Sequence, residues 1–453
     1  MPRDQEPPAP TPPRHRRDSP PPQKPGGGRP PADSFALPVL TERERELLDS
    51  VFYKQAKRGV FEEEQRPLSP AVAQSAGPMR RVSPLWTVPL PESAGAMGVA
   101  LSPGGTLAAV ACRDGTVRVL RADQGGETLH TIAPTPSKGG VLATAAATCV
   151  RFRPESQHSR TSNVLGLARG SALFHYHATT GQLMTELDEG DNEIFALDFG
   201  PGGSRVATAG SDSCVRVYDE ARQALETTFP RGGEGTREGH SSNVYALAWA
   251  NEGGGDVLVS GGWDSAIHVW DRRQKGSAGH MYGAYVCGDA LDVRGHEVVS
   301  GSFREQAPLQ LWDLRMHHLL TNLDTVGGGS DGKLQLYTAR FGHSPLRGGG
   351  HMVAAGGAEE HPSVRVVTQG GQPVCQVEAA STVHAVAFAT PVTHAHLPEH
   401  IAIVRPPPPP WRPARAGGPA RSGPPRASPL TASRTDPCAQ ACAYHVSFAA
   451  IEP

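Results

Sequence analysis

Seven short segments of this chain resemble one another: GVALSPGG, CVRFRPES, ALDFGPGG, ALAWANEG, ALDVRGHE, TARFGHSP and AVAFATPV. Their apolar anchors are Leu101, Phe152, Phe199, Trp249, Val293, Phe341 and Phe388, and successive anchors lie 51, 47, 50, 44, 48 and 47 residues apart. A period of that size constrains the fold strongly. A unit so short cannot bury its own apolar face, so it must stack on its neighbours. Between the anchors run short alternating stretches rich in Val, Ala and Phe, punctuated by Gly, Asp and Ser. This is the texture of strands and tight turns.

A second repeat keeps register with the first. Val117-Arg118-Val119-Leu120, Val215 to Asp219, Ile267 to Asp271 and Gln310 to Asp313 are copies of one later strand, with weaker copies at Leu173 to Tyr176 and Val364 to Val367. Two repeated strands per unit, with room for two more, predict an all-β, seven-bladed β-propeller. On these residues the chain resembles the WD40-repeat family over about residues 84–404. The resemblance implies a ring whose last blade is closed by strand exchange between the termini, which removes exposed edges. The seventh unit starts normally at Val383 to Phe388, and Ile401 to Val404 reads as its second strand. A Pro/Arg-rich run then replaces the third, and proline cannot serve a central ladder. Either Tyr444 to Ile451 completes the blade after a disordered insertion, or the 405–453 tail is not true structure. Leu85 to Leu90 is the expected outer strand.

The unit around residue 250 carries the family's full structural tetrad: His240, Ser260, Asp264 and Trp270. Its composition imitates a Ser/His/Asp catalytic set. The resemblance implies instead a buried relay in which each polar group satisfies the next. Gly295-His296 repeats the Gly-His pair but falls in a turn after a first strand.

Outside the ring, residues 1–33 hold twelve prolines and a Gly run, the makings of a disordered arm. Residues 34–83 form a helix and linker. Thr41 and Glu44 make a capping box, and Leu47, Leu48, Val51 and Phe52 an apolar stripe over Thr41 to Lys57. That helix packs on its own domain or docks into a partner groove. The first residues lack an apolar signal core and no apolar run reaches membrane-spanning length. A cytoplasmic or nuclear location with free thiols at the seven cysteines is therefore expected. The net charge of −2 argues against a nucleic-acid binder.

Enzymatic motifs are missing. Gly327 to Lys333 imitates a phosphate loop, but Leu334 follows where Ser or Thr is needed and propeller strands flank it. His394, His396 and His400 lack a metal-ligand partner at a convincing spacing, as do Cys438 and Cys442. No cofactor and no metal are expected, and the chain reads as a non-enzymatic scaffold binding protein or peptide partners on the propeller rim.

In this fold the residue before the turn Asp and the start of the first strand line that rim. The rule selects Arg113, Trp263, Phe195 and Tyr245, with Phe303 and Arg304 in the equivalent turn of the fifth unit. Tyr and Trp are typical interface anchors, although Phe195 and Tyr245 could instead pack between blades. Trp270-Asp271-Arg272-Arg273 and Trp312-Asp313-Leu314-Arg315 both read W-D-x-R. This resembles the motif of substrate receptors for cullin-four RING ubiquitin ligases, and implies that Arg273 and Arg315 engage a ligase adaptor from the narrow side of the ring. The alternative is that these arginines only pair with a neighbouring blade.

Overall fold

Each repeat folds as a four-stranded antiparallel sheet because its strands are short, its middle strands are apolar enough to be buried on both faces and its turns are centred on Gly and Asp. In the computed structural model the described residues are 80–91, 94–134, 145–154, 163–232, 238–251, 254–274, 276–304, 307–323, 335–345, 351–358, 363–379, 382–389, 399–405 and 444–451. The N-terminal arm, the expected helix at residues 41–57, the phosphate-loop mimic, His394 and His396, Cys438 and Cys442 lie outside them.

Seven sheets of four strands make the ring. Blades 1 to 6 span residues 96–132, 147–188, 194–229, 244–282, 291–322 and 335–378, each in simple up-down order from the channel outward. Blade 7 is composite. Its inner strands are Ala385–Phe388 and Glu399–Arg405, its third is Tyr444–Ile451 and its outermost is Val82–Leu90. The late stretch thus forms a true strand, paired on both sides. The chain closes the ring by bringing a strand from before the first blade to the edge of the last, which gives blade 7 its full four strands and leaves only short outer edges, as in every other blade.

The anchors Phe152, Phe199, Trp249, Val293, Phe341 and Phe388 are all buried near the ends of the innermost strands, where each packs into the seam with adjacent blades. The third-strand copies found in the sequence are the third strands of blades 1 to 6. Gly295, at φ +58, and His296 form the hairpin turn joining Leu291–Arg294 to Glu297–Gly301. Among the described residues no helix is long and apolar enough to cross a membrane. The five described cysteines are all free.

Candidate functional site

Strands alternate in direction, so the start of each first strand and the turn between the second and third strands come to one face of the ring. On that face the first strands carry a repeated irregularity. The pairing skips one residue at Met97, Thr148, Phe195, Tyr245 and Tyr337 in blades 1, 2, 3, 4 and 6. Each lies four residues before its anchor. A β-bulge bends the strand and re-aims the side chain it frees; repeated around the ring, it turns these side chains toward the channel mouth.

There the aromatic ones meet. Phe195 stacks on Tyr245 at 4.9 Å and 7°, Tyr245 meets Trp263 at 5.0 Å, and Trp263 lies parallel to Tyr285 at 6.4 Å. The Phe303 backbone N–H donates to the Tyr285 carbonyl at 2.9 Å. Phe303 then meets Tyr337 at 4.9 Å, and Tyr337 stacks on His384 at 5.5 Å. Seven rings therefore line this face from blade 3 to blade 7 in two runs, Phe195 to Tyr285 and Phe303 to His384, joined by that backbone hydrogen bond. Phe195, Tyr245, Trp263, Phe303 and His384 are half-buried, and Tyr285 and Tyr337 are buried. Burial pushes the Tyr245 phenol up to about 12 and His384 down to about 4, so both are neutral at physiological pH. Phe195 and Tyr245 do pack between blades, and they do it at the mouth.

Arg113 shares this face on blade 1 and is exposed, its backbone N–H bonded to the Gly95 carbonyl at 2.6 Å. Arg304 sits half-buried beside Phe303. Arg273 and Arg315 follow the third strands and so lie at the opposite ends of the blades. Each turns back to the Asp of its own W-D-x-R: Arg273 holds Asp271 through Nε and Nη2 at 2.9 and 2.7 Å, and Arg315 lies 3.5 Å from Asp313. Both side chains remain mostly exposed, at 65% and 62%. The residue that reaches the neighbouring blade is Arg272, paired with Glu226 of blade 3 and, at 2.6 Å, with Asp256.

Sequence reasoning did not find the floor of the mouth. The residue before each anchor reads, around the ring, Ala100, Arg151, Asp198, Ala248, Asp292, Arg340, Ala387, and the charged ones are gathered into one cluster. In blade 5 the position that carries an aromatic in blades 3, 4 and 6 is Asp289. Its carboxylate receives Arg151 from across the ring at 2.6 Å and Arg340 from blade 6. Asp198 and Asp292 flank the cluster, 3.8 Å from Arg151 and Arg340 respectively. They also accept the backbone N–H groups of Trp249 and Phe341 in the next blade, at 3.0 and 2.9 Å. Although burial opposes it, the two guanidinium groups hold Asp289 far below the usual carboxylate range. Asp198 feels burial more strongly and is raised to about 6. The motif segments displayed four of these charges, Asp289 lying just before the fifth segment, but nothing marked them as facing one another.

The tetrad of blade 4 is a continuous relay. The Trp270 indole N–H donates to Ser260 Oγ at 2.7 Å, and His240 meets Ser260 at 2.6 Å and Asp264 at 2.7 Å. His240, Ser260 and Trp270 are all fully buried. Burial raises the Asp264 carboxyl, but His240 beside it wins and holds it below its ordinary value. His268 lies against His240, and with Asp264 the three could suggest a metal site. Both His240 nitrogens are already committed, so the arrangement is a hydrogen-bond relay. Blade 3 builds its own version, with Glu189 accepting from Thr208, from the Tyr218 hydroxyl at 2.9 Å and from Asn192 at 2.6 Å. Blade 5 keeps the Trp312–Ser300 half at 2.8 Å.

Comparison with known proteins recognises three of these repeats. The family profile "WD domain, G-beta repeat" matches residues 84–120, 181–219 and 234–271. The chain is 27% identical over 158 residues to "Cell division cycle 20.1, cofactor of APC complex" of Arabidopsis thaliana, covering 34% of this chain and 32% of that protein. It is 30% identical over 92 residues to the mRNA export factor GLE2 of Chaetomium thermophilum, covering 20% and 23%. It is 34% identical over 82 residues to the protein transport protein SEC13 of Mycosarcoma maydis, covering 18% and 21%. The match to the first of these relatives spans about a third of its length.

Proposed function

We propose that this chain, which belongs to the WD40-repeat β-propeller family, is a non-catalytic platform that holds protein or peptide partners at the aromatic mouth of its ring. The observation that carries this reading is the set of seven rings from Phe195 to His384, gathered on one face in two stacked runs. Half-buried Tyr, Trp and Phe offer large rigid contact area at small entropic cost. The buried Ser, His and Asp side chains that could suggest catalysis are tied into the blade 4 relay. The relatives carry names of complexes and transport routes, in keeping with a protein-binding role in the cytoplasm or nucleus. The test is partner capture by the wild-type chain and by a Tyr245→Ala/Trp263→Ala variant with an intact far-ultraviolet spectrum. The reading expects a defined set of stoichiometric partners to be lost. Retention of every partner rejects it.

A second reading rests on Arg273 and Arg315, the two exposed W-D-x-R arginines on the opposite face. The Asp partner fixes each guanidinium at its strand end, leaving the planar group displayed for a carboxylate of a cullin-four ligase adaptor. Co-precipitation of the adaptor, lost in an Arg273→Ala/Arg315→Ala variant, supports it. Failure of the wild-type chain to bring down the adaptor removes it.

A further inference from the structure

At the blade 3 end of the aromatic run, Phe195 is the terminal ring. Its one ring partner among the described residues is Tyr245, on one side, so its other face is not covered by a ring. Two residues earlier in the chain stands Glu193, half-buried at the start of the same strand. Its backbone is satisfied by Ser211, whose Oγ accepts its N–H at 2.8 Å and whose N–H donates to its carbonyl at 3.0 Å. Its carboxylate has no hydrogen bond or ion pair to any described residue. The carboxylates of the neighbouring turns differ in this respect: Glu189 is held by four side chains, and Asp212 pairs with Arg216 at 2.5 Å. Glu193 immediately precedes the strand Ile194–Phe199, and Phe195 is the residue its pairing skips, so the backbone holds the two residues together at this end of the blade. Partial burial alone raises Glu193 from its ordinary value, as expected of a carboxylate without a counter-charge.

A half-buried carboxylate without a counter-charge, two residues from the terminal ring of an aromatic run, is favourable to one class of ligand. A cation placed there gains the ring quadrupole and the carboxylate together, and it restores charge balance that the fold itself leaves open. An anion would meet Glu193 unfavourably. A neutral apolar side chain would bury the carboxylate further with nothing to pair it.

We infer that the mouth at Phe195, Tyr245 and Glu193 is an anchor for one basic side chain, arginine or lysine, of a partner peptide. The inference rests on the reading of the mouth as the partner-binding surface and gives that partner its chemistry. Glu193 supplies the counter-charge, Phe195 the terminal ring and Tyr245 the wall behind it. The rings beyond, from Trp263 onward, would hold the flanking peptide.

The experiment selects random dodecapeptides displayed on phage against the full chain. Binding of one selected synthetic peptide is then measured on wild type, Glu193→Gln and Tyr245→Ala/Trp263→Ala. The expected result is a selected consensus with arginine or lysine at one position. Replacing that residue by citrulline or norleucine should weaken binding at least tenfold on wild type. Glu193→Gln should weaken the basic peptide about fivefold to tenfold and leave the neutral peptide unchanged, so that the two substitutions are coupled. The peptide-side substitution needs no change in the protein, so misfolding cannot imitate the effect. Peptides without a basic consensus, or basic peptides indifferent to Glu193→Gln, overturn the anchor. If such peptides still require Tyr245 and Trp263, the mouth stays a binding surface without this specificity. If no peptide is selected, or none depends on those rings, the anchor and the platform reading fall together.

Discussion

Arg151 and Asp289 belong to blades 2 and 5, on opposite sides of the ring, and their side chains meet at 2.6 Å in the central channel. Arg340 of blade 6 binds the same carboxylate. One Asp side chain therefore ties three blades across the axis, a contact that no blade-to-blade stacking provides. It also gives the aromatic mouth a polar floor.

Removing that carboxylate should destabilise the ring as a whole. Asp289→Ala leaves two guanidinium groups facing each other with side-chain exposures of only 13% and 14%. Breaking one partner out of a buried pair costs about 3–5 kcal/mol. The residual exposure of Asp289, 22%, argues for the lower end, about 3 kcal/mol. Chemical denaturation should show this loss. Adding Arg151→Met to Asp289→Ala should return part of it by removing the repulsion. Equal midpoints for Asp289→Ala and wild type would show that the cluster contributes nothing.

The same cluster predicts a pH signature for Asp198. Burial raises its carboxyl to about 6, against a weaker pull from Arg151 and Arg340. The folded chain therefore keeps a proton that the unfolded chain has released. The stability linked to Asp198 is complete below about pH 4 and is lost as pH rises through about 6. His268, lowered to about 3 by burial and His240, and His384, lowered to about 4 by burial, act in the opposite sense. Their contribution is complete above about pH 6.5 and is lost as pH falls. Asp198→Asn removes only the first effect and keeps an oxygen to accept the Trp249 N–H. The stability of the variant relative to wild type should climb between pH 4 and 6, by at most about 3 kcal/mol, and then level off. Melting curves over that range check it; a pH-independent difference would mean that Asp198 titrates normally.

The blade 4 relay and its blade 3 counterpart should behave alike. His240→Ala strips Ser260 and Asp264 of a partner inside the core, at about 1–3 kcal/mol for each group left unsatisfied. Glu189→Gln keeps the size but turns one of the two accepting oxygens into a donor, facing either the Asn192 and Arg216 donors or the Thr208 and Tyr218 hydroxyls. Both variants should melt earlier than wild type. A melting temperature unchanged in Glu189→Gln would show that blade 3 does not depend on its substitute relay.

Blade number and ring closure were legible because an anchor such as Phe199 or Trp249 needs only to be apolar and regularly spaced. The relay in blade 4 was legible because its four members are the family's own. Blade 3 hid its version, because Glu189, Thr208 and Tyr218 keep the hydrogen bonds and change the residue types. Tyr337 and His384 stand four residues before Phe341 and Phe388, the offset of Phe195 from Phe199, so a stricter alignment of the seven segments would have found them. Tyr285 escapes even that alignment, because Asp289 occupies the blade 5 position and the ring arrives from the preceding connection. The ion cluster was least legible of all. Charges at Arg151, Asp198 and Arg340 read as ordinary polar faces of half-buried strands until the ring closes and sets them opposite one another.

Closure itself hangs on a small contact. Trp86, on the strand borrowed by blade 7, stacks on Phe448 at 5.0 Å and 13°, and its indole N–H donates to the Ala122 carbonyl of blade 1 at 3.0 Å. Gly126 makes the room: at φ +80, a Cβ there would lie 2.6 Å from the indole. Trp86 thus clips the closing strand both to its own sheet and to the first blade. Trp86→Ala loses the stack, the hydrogen bond and the packing around them, about 2–3 kcal/mol for a half-buried aromatic. The loss should be felt locally before it is felt globally, because Val82–Leu90 can detach while the other blades stay paired. Hydrogen exchange should quicken along Tyr444–Ile451, which loses a neighbour on one side, while Ala266–Asp271 in blade 4 keeps its protection. Gly126→Ala should do the same by driving the indole out of place. Uniform acceleration in both strands would mean that the ring opens as a single unit and that the clip has no local role.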